Sequence, residues 1–521
     1  MALSLLKRRI IISLLVLLFF VTAPALILYA KGYRYNFEEN KIQKVGMIMI
    51  AHNPTTAVAT VNGKSAPFDI TTLGYERFSN LLPGKYHAKV EMPEYILWEK
   101  EFEVIPEFVT WARYVTLFYS QPTQTKIKSD SKITNFVLSP DKKNLFFIKK
   151  GEDENNEFIE NFKVSNQRID ELTSDEKLLK ASTTEKTTAK IEIEKLYPSP
   201  DSSKILISSK MNGKPYYSIL TIDEPEKIHN IENLSTKEDF SNIEEIKWHP
   251  TSNNRIYLKN EKGLYFFDLS EEKLSKKIAS NVLAFEPSNY GLFFIKSDVV
   301  LKMTEGSEHS ERTSSDGNEI RREELKSSLK KMDLDGKNPE TISEDFEYSD
   351  NYSIEISAEG KKAVLTKEGA LYSIKEPMEK SIANETKAEI KRIALDIKNI
   401  EWSMDNDEEE STGELLLYSN DHEIFTYEPQ IENSETITRY SSKINTSIWY
   451  PGNYKYVIFV IDRKLKIIEL DERDKRNVAD VFEFPDGTEL GEEIYIDNDS
   501  ENLYFLTKDK KDKNIIQLTI R

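Results

Sequence analysis

A chain of 521 residues is too long for one compact core, so two or more folded units are expected. Hydrophobic residues make up 39%, with 25 Tyr and 25 Phe, which excludes a disordered chain. A balance of 71 basic against 89 acidic residues, net −18, excludes a nucleic-acid backbone as the main partner, and the absence of cysteine excludes disulfides, thiolate metal sites and cysteine nucleophiles.

The N-terminal stretch carries Lys7, Arg8 and Arg9, then an uncharged run from Ile10 to Ala30. At about 1.5 Å of rise per residue, residues 10–30 span a hydrocarbon core of about 30 Å. Positive residues precede the run, while Lys31 and Arg34 behind it are diluted by Glu38 and Glu39. That asymmetry predicts residues 1–9 in the cytoplasm and the bulk of the chain outside. A cleaved signal peptide is the rival reading, since Ala23 and Ala25 supply small residues at a cleavage position. The apolar run continues past that site through "LILYA", which favours an anchor.

From about 45 to 119, short alternating runs are broken by turn residues. In "GKYHAKVEM", Tyr86, Ala88 and Val90 share one face and Lys85, His87, Lys89 and Glu91 the other, the period of a half-buried strand. "TVNGKSAPFDI" resembles a phosphate-binding loop at first sight, but the position five residues before Gly63 is Val58, and Pro67 and Phe68 follow where a helix would have to start. Asn62-Gly63 is instead the favoured two-residue hairpin pair. With Asn53-Pro54 ahead of it, Leu82-Pro83-Gly84-Lys85-Tyr86 before the next strand and Pro93-Glu94-Tyr95 with Trp98 further on, the segment resembles a PEGA domain, a small β-sandwich of bacterial and archaeal surface proteins. The name-giving stretch reads Leu-Pro-Gly-Lys here, and Glu94 stands where the family often has glycine. The resemblance implies a surface or binding role without known catalysis. Trp98 and Trp111 are read as sandwich core or edge aromatics rather than a carbohydrate platform.

Residues 126–521 repeat one template: apolar and aromatic positions lead to a Ser, His or Tyr with proline, then a polar turn, then an apolar triplet. Pro140, Pro200, Pro250, Pro287 and Pro451 mark equivalent places, and copies begin on the order of 40 to 60 residues apart, the period of propeller blades. Each copy reads as three strands, joined by turns such as "NEKG", whose sheet must pack on its neighbours around a ring. "LSPDKK", "PSPDSS" and "MDLDGKNPETIS" make the array similar to TolB-like propeller repeats, while Ala358, Met404 and Asn498 replace the proline in later copies. Seven or eight blades follow. Residues 304–326, dense in charge and without apolar period, read as an insertion in one blade.

The search for chemistry is negative. Asp333, Asp335 and Gly336 lack the remaining positions of a calcium loop and read as a blade-closing turn. The run Asp405 to Glu410 reads as a solvated loop rather than a cation site. His52, His87, His229, His249, His309 and His422 have no helical metal spacing, and no Gly-x-Ser-x-Gly elbow occurs. No catalytic, cofactor or metal residue is assigned, and binding residues are left open.

The expectation is an all-β chain with an N-terminal transmembrane helix, a small PEGA-like β-sandwich and a seven- or eight-bladed β-propeller. It would be a non-enzymatic, single-pass envelope protein that binds a protein or cell-wall polysaccharide outside, without cofactor and without nucleic acid. The alternatives are a glycan-processing hydrolase using carboxylates of the propeller channel, or the ectodomain of an envelope sensor complex.

Overall fold

A computed structural model describes residues 5–521 except 38, 67–73, 131, 152–155, 183–189, 232–242, 272, 304–320, 359, 361, 375–387, 405–412 and 510–511. The first element, α1 (Leu5–Ala30), contains a segment, Arg9–Ala30, long and apolar enough to cross a membrane. Its end is capped in two ways. Gly32, in the left-handed region at φ +82°, lets its N–H return to Tyr29 O, and the Arg34 guanidinium donates to Tyr29 O at 2.8 Å while lying 3.5 Å over the Tyr29 ring. A hairpin of Tyr33–Asn36 and Lys41–Lys44 follows at once.

The sandwich packs a three-stranded sheet (Glu76–Leu81, Gly46–Asn53, Val109–Thr116) on a four-stranded one (Lys64–Ser65, Val58–Val61, Gly84–Glu91, Trp98–Val104). Alternation places Ile48, Ile50, Ala59, Val61, Ala88, Val90 and Phe102 in the core. The Asn62-Gly63 hairpin has both residues at positive φ, as a type I′ turn demands, and the Asn62 side chain accepts from His87 N–H at 2.8 Å.

Among the described residues, eight four-stranded antiparallel sheets form the propeller: blades 1 to 7 at 133–174, 191–230, 243–274, 282–347, 352–394, 399–439 and 444–483, and blade 8 at 488–519. Three strands of blade 8 come from the C-terminal end of the propeller, and its outermost one is Thr123–Asp130, so the strand entering the propeller completes the blade that ends it. Each seam holds its own apolar cluster. These include Ile148 with Ile205 between blades 1 and 2, Leu206 with Trp248, Tyr257 with Phe285, Phe293 with Leu365, Leu371 with Leu416, Leu417 with Phe459, Leu465 with Phe505, and finally Phe147 with Tyr504 between blades 8 and 1. Burying each such side chain contributes about 1.5–3 kcal/mol, and only a closed ring buries both faces of every blade.

The repeated Ser-Pro-Asp turns have a physical cause. At the end of a blade's first strand, Ser139 Oγ donates to Asp141 at 2.6 Å and accepts from Asn144 N–H; Ser199 does the same with Asp201 and Lys204 N–H. Such turns then interlock around one face, with Ser202 N–H held by Ser199 O, Asp141 N–H donating to Ser202 Oγ, Asn498 Nδ2 donating to Asp141 O, and Asn253 bonded to Ser203. Where serine or proline is lost a left-handed residue still closes the turn, as at Gly360, Tyr454 and Ser500.

Three sequence expectations change. Blades have four strands rather than three, because outer strands such as Glu224–Asn230 and Asn433–Arg439 are mostly polar and exposed and lack the apolar triplet. The strand that closes blade 8 begins at Thr123, ahead of 126. Of the insertion expected at 304–326, residues 304–320 lie outside the described residues, while 321–326 are strand, paired with 298–303 in a long arm of blade 4.

Candidate functional site

The sandwich is locked onto blade 7 through groups that are buried at the junction. Lys100, with no exposed side-chain surface, is ion-paired with Glu469 and donates to Asp471 O at 2.6 Å. Glu469 also accepts the Trp98 indole N–H at 2.9 Å and both N–H groups of Asn477, at 2.9 and 3.0 Å. The Tyr456 hydroxyl donates to Tyr114 O and accepts from Thr116 N–H, each at 2.9 Å; burial pushes its phenol up, which keeps that donor in place. Phe118 stands edge-on to Tyr450 and Tyr456 at 5.4 and 5.7 Å, so the connection between the two units belongs to the propeller core.

Beside this lock lies a cleft of about 330 Å³ between the sandwich strand Val109–Thr116 and blades 6 and 7. Trp111, Arg113 and Tyr114 form one wall; Glu428, Glu435 and Lys455 belong to the other. Arg113 lies 4.8 Å over the Trp111 ring, and Tyr75 meets that ring edge-on at 5.6 Å. Lys455 lies 5.2 Å over Tyr114. At the mouth, Arg473 grips Asp471 at 2.9 and 2.6 Å and donates to Trp111 O at 2.7 Å. Burial alone would raise the Asp471 carboxyl, but Arg473 and Lys100 hold it below the usual carboxylate range. The cleft thus presents aromatic surface with charged groups of both signs, a lining suited to a polar ligand with apolar faces, such as a sugar ring or a peptide.

The propeller axis holds a second set of groups. First strands of successive blades meet there, for instance Val282–Ser288 with Tyr352–Ile356 and Asn399–Trp402 with Ile444–Trp449. Lys247 reaches Glu286 at 2.5 Å, Glu245 at 3.1 Å and Phe285 O at 2.9 Å. Desolvation, then the negative charge of Glu286, pushes Glu355 up to about 7 against the pull of Lys247. Desolvation also lifts Glu401 to about 7, although it accepts Trp449 N–H at 2.8 Å and Lys142 pulls the other way. Both residues keep exposed surface, yet protein crowds their carboxyls closely enough to desolvate them.

A pH dependence follows. Raised carboxyls bind more protons in the folded chain than in the unfolded one between pH about 4.5 and about 7. Their contribution to stability is therefore complete below about 4.5 and lost as pH rises through about 7. Glu355→Gln with Glu401→Gln is expected to flatten the melting temperature over that window and to raise it at pH 8. An unchanged slope in melting curves taken from pH 4.5 to 8 would refute the assignment.

The structure separates the residues singled out in the sequence. Trp98 is buried at the lock and reaches the floor of the cleft, which Trp111 also lines. Asp333, Asp335 and Gly336 form the turn between the third and fourth strands of blade 4, where Lys337 pairs with Asp335 at 2.7 Å. The acidic run 405–410 lies outside the described residues; among those described, no group of three metal-ligating side chains gathers. Sequence reasoning did not single out Lys100, Glu469, Arg473, Glu355 or Glu401. For Lys100 a signal existed: in "WEKEFEV" it shares a face with Trp98, Phe102 and Val104.

No family model and no curated protein matches the sequence, so the PEGA and TolB-like resemblances stand on the quoted residues alone. Solved structures align with much of this chain at low similarity. A eukaryotic initiation factor aligns over 78% of this chain and 88% of its own, at 10% identity and a TM-score of 0.45. An oligogalacturonate lyase in complex with manganese aligns over 77% and 98%, at 8% and 0.34. Porphyromonas gingivalis dipeptidyl peptidase 4 aligns over 72% and 56%, at 10% and 0.43. These likenesses concern the fold. They correct one expectation: with a lyase and a peptidase among the similar structures, the exclusion of enzymatic activity does not hold. The chain is an all-β protein with an N-terminal apolar helix and a propeller of four-stranded blades.

Proposed function

We propose that this is a membrane-tethered recognition protein of the cell envelope that seats a cell-wall polysaccharide, or a protein, in the cleft between sandwich and propeller. The observation that carries the reading is the lock of Lys100, Glu469 and Tyr456, which fixes the two walls of the cleft in one geometry. A preformed site avoids the ordering cost of a hinged one. Helix α1 keeps the unit at the membrane, and the PEGA-like character of the sandwich accords with a surface role.

The test is co-sedimentation of the full-length protein, in detergent, with isolated cell-wall polymer at low and high salt. Salt-resistant pelleting that Trp111→Ala weakens at least about tenfold is the expected result, since a central aromatic anchor contributes about 2 kcal/mol or more. Pelleting indifferent to Trp111→Ala and Arg473→Ala would remove the cleft from the proposal. Protein that stays in the supernatant at both salts would exclude the polysaccharide and leave a protein partner, sought by crosslinking in intact cells.

A second reading is favoured by Glu355 and Glu401, whose carboxyls at about 7 lie in the range of a general acid for glycan processing. Turnover of a polysaccharide lost in Glu355→Gln or Glu401→Gln would support it; turnover unaffected by both would not.

A further inference from the structure

Among the described residues, fifteen large apolar side chains beyond α1 are exposed, and six of them, Tyr35, Phe37, Ile42, Ile105, Phe108 and Val109, fall in just two short segments. The others are scattered over the sandwich and the propeller. Phe37 is 83% and Phe108 66% exposed, the two most open of the set. Scattered apolar residues need no explanation, but a gathering of aromatics does.

The backbone brings both segments to one place. Residues 33–44 are the hairpin that leaves α1 after a two-residue turn. Gly32 O accepts from Val45 N–H at 2.9 Å, and Val45 O accepts from Glu107 N–H at 3.0 Å, so the helix exit, the start of the sandwich and the 105–109 loop lie side by side. Lys44 pairs with Glu107 at 2.5 Å and Arg34 with Asn80 at 2.7 Å, which fastens the hairpin to the sandwich on both sides. Two strand-like hydrogen-bonded steps are about 10 Å. With α1 across a bilayer, the headgroup layer begins where α1 ends, and neither segment can stand far from it.

We propose that the hairpin 33–44 and the loop 105–109 form a docking surface for the lipid headgroup region, burying Phe37, Phe108 and their neighbours in the outer interface. This rests on the reading of α1 as a membrane anchor and deepens it. Aromatic side chains favour that layer, and the fastened hairpin turns a single helix into a fixed orientation. The cleft and the propeller then stand at a set height over the membrane rather than swinging on a flexible stalk.

Because the chain has no cysteine, one introduced thiol is a unique label site. Phe37→Cys, Phe108→Cys, Phe20→Cys in α1 and Tyr290→Cys on blade 4 would each carry a nitroxide in the full-length protein, in nanodiscs of phosphatidylcholine and phosphatidylglycerol. Collision with oxygen, which partitions into lipid, is compared with collision with a water-soluble nickel chelate. The expected result is that labels at 37 and 108 meet the chelate several-fold less often than the label at 290. If 37 and 108 behave like 290 while 20 is shielded, the docking surface is refuted and the anchor stands. If 20 is open to the chelate as well, the anchor itself fails and the proposal with it.

Discussion

Phe147→Ala is expected to cost about 3–5 kcal/mol and to unfold the propeller as one body at lower urea. The side chain is fully buried at the seam where blade 1 meets Tyr504 and Ile515 of blade 8. Truncation removes the transfer free energy of a large apolar group and leaves a cavity that two facing sheets cannot easily collapse into. The consequence exceeds the local loss because this seam is the closure. Blade 8 draws its outer strand, Thr123–Asp130, from one end of the propeller and its inner three from the other, so a weakened seam loosens both ends at once. In a linear repeat array, damage at a terminal unit frays that unit alone. Urea unfolding followed by near-ultraviolet circular dichroism and by tryptophan fluorescence distinguishes the cases. Coincident transitions at a lowered midpoint are expected. A separate early transition confined to blade 1, or an unchanged midpoint, would show that closure does not couple the blades.

Much of this architecture was readable in advance, and the reasons are local. The Ser-Pro-Asp turn reappears because a serine oxygen and an aspartate carboxylate serve the same backbone groups each time, and Asn62-Gly63 could be told from a phosphate loop because the neighbouring residues forbid one. What escaped was whatever lacks a local signature. The outer strand of blade 8, "TQTKIKSD", looks like a polar linker and has no period linking it to residues near 519, so its place in that blade is not legible in the chain. The insertion expected at 304–326 overlaps the strand Arg321–Met332, which opens with charged residues whose strand character is imposed by pairing with Gly291–Met303.

The candidate site was less legible for a related reason. Glu355 and Glu401 are two among 89 acidic residues, and nothing in their neighbours on the chain sets them apart. Their raised carboxyls come from desolvation within the ring, reinforced at Glu355 by the charge of Glu286 and opposed at Glu401 by the Trp449 N–H and Lys142. The cleft likewise arises only when residues near 111 and near 455 meet, more than 300 positions apart. Trp98 and Trp111 both line the cleft, Trp98 as a buried member of the sandwich core, and nothing in their neighbours on the chain announces that they share it.

Lys100→Met tests whether that junction is a lock, and its expected cost is also about 3–5 kcal/mol. Removing the ammonium leaves Glu469 charged, with 4% of its side chain exposed, and supported only by Trp98 and Asn477. An isolated carboxylate in that position pays the desolvation penalty without its counter-charge. Glu469→Gln alone should likewise destabilise, because Lys100 then keeps only Asp471, whose carbonyl accepts at 2.6 Å and whose carboxylate lies at 3.7 Å. The double variant should recover a large part of the loss, since neither charge is left without its partner and a glutamine oxygen can still accept from the indole. A four-protein cycle by urea unfolding reads the coupling directly. Coupling of more than about 1 kcal/mol, with Lys100→Met the costlier single change, is expected for a desolvated pair, whereas exposed pairs give about 0–1 kcal/mol. Additive effects would mean that the two side chains act separately and that the cleft walls are held by Tyr456 and the aromatic contacts of Phe118. In that case Tyr456→Phe, which removes the donor to Tyr114 O and the acceptor for Thr116 N–H, becomes the change that should free the sandwich from blade 7.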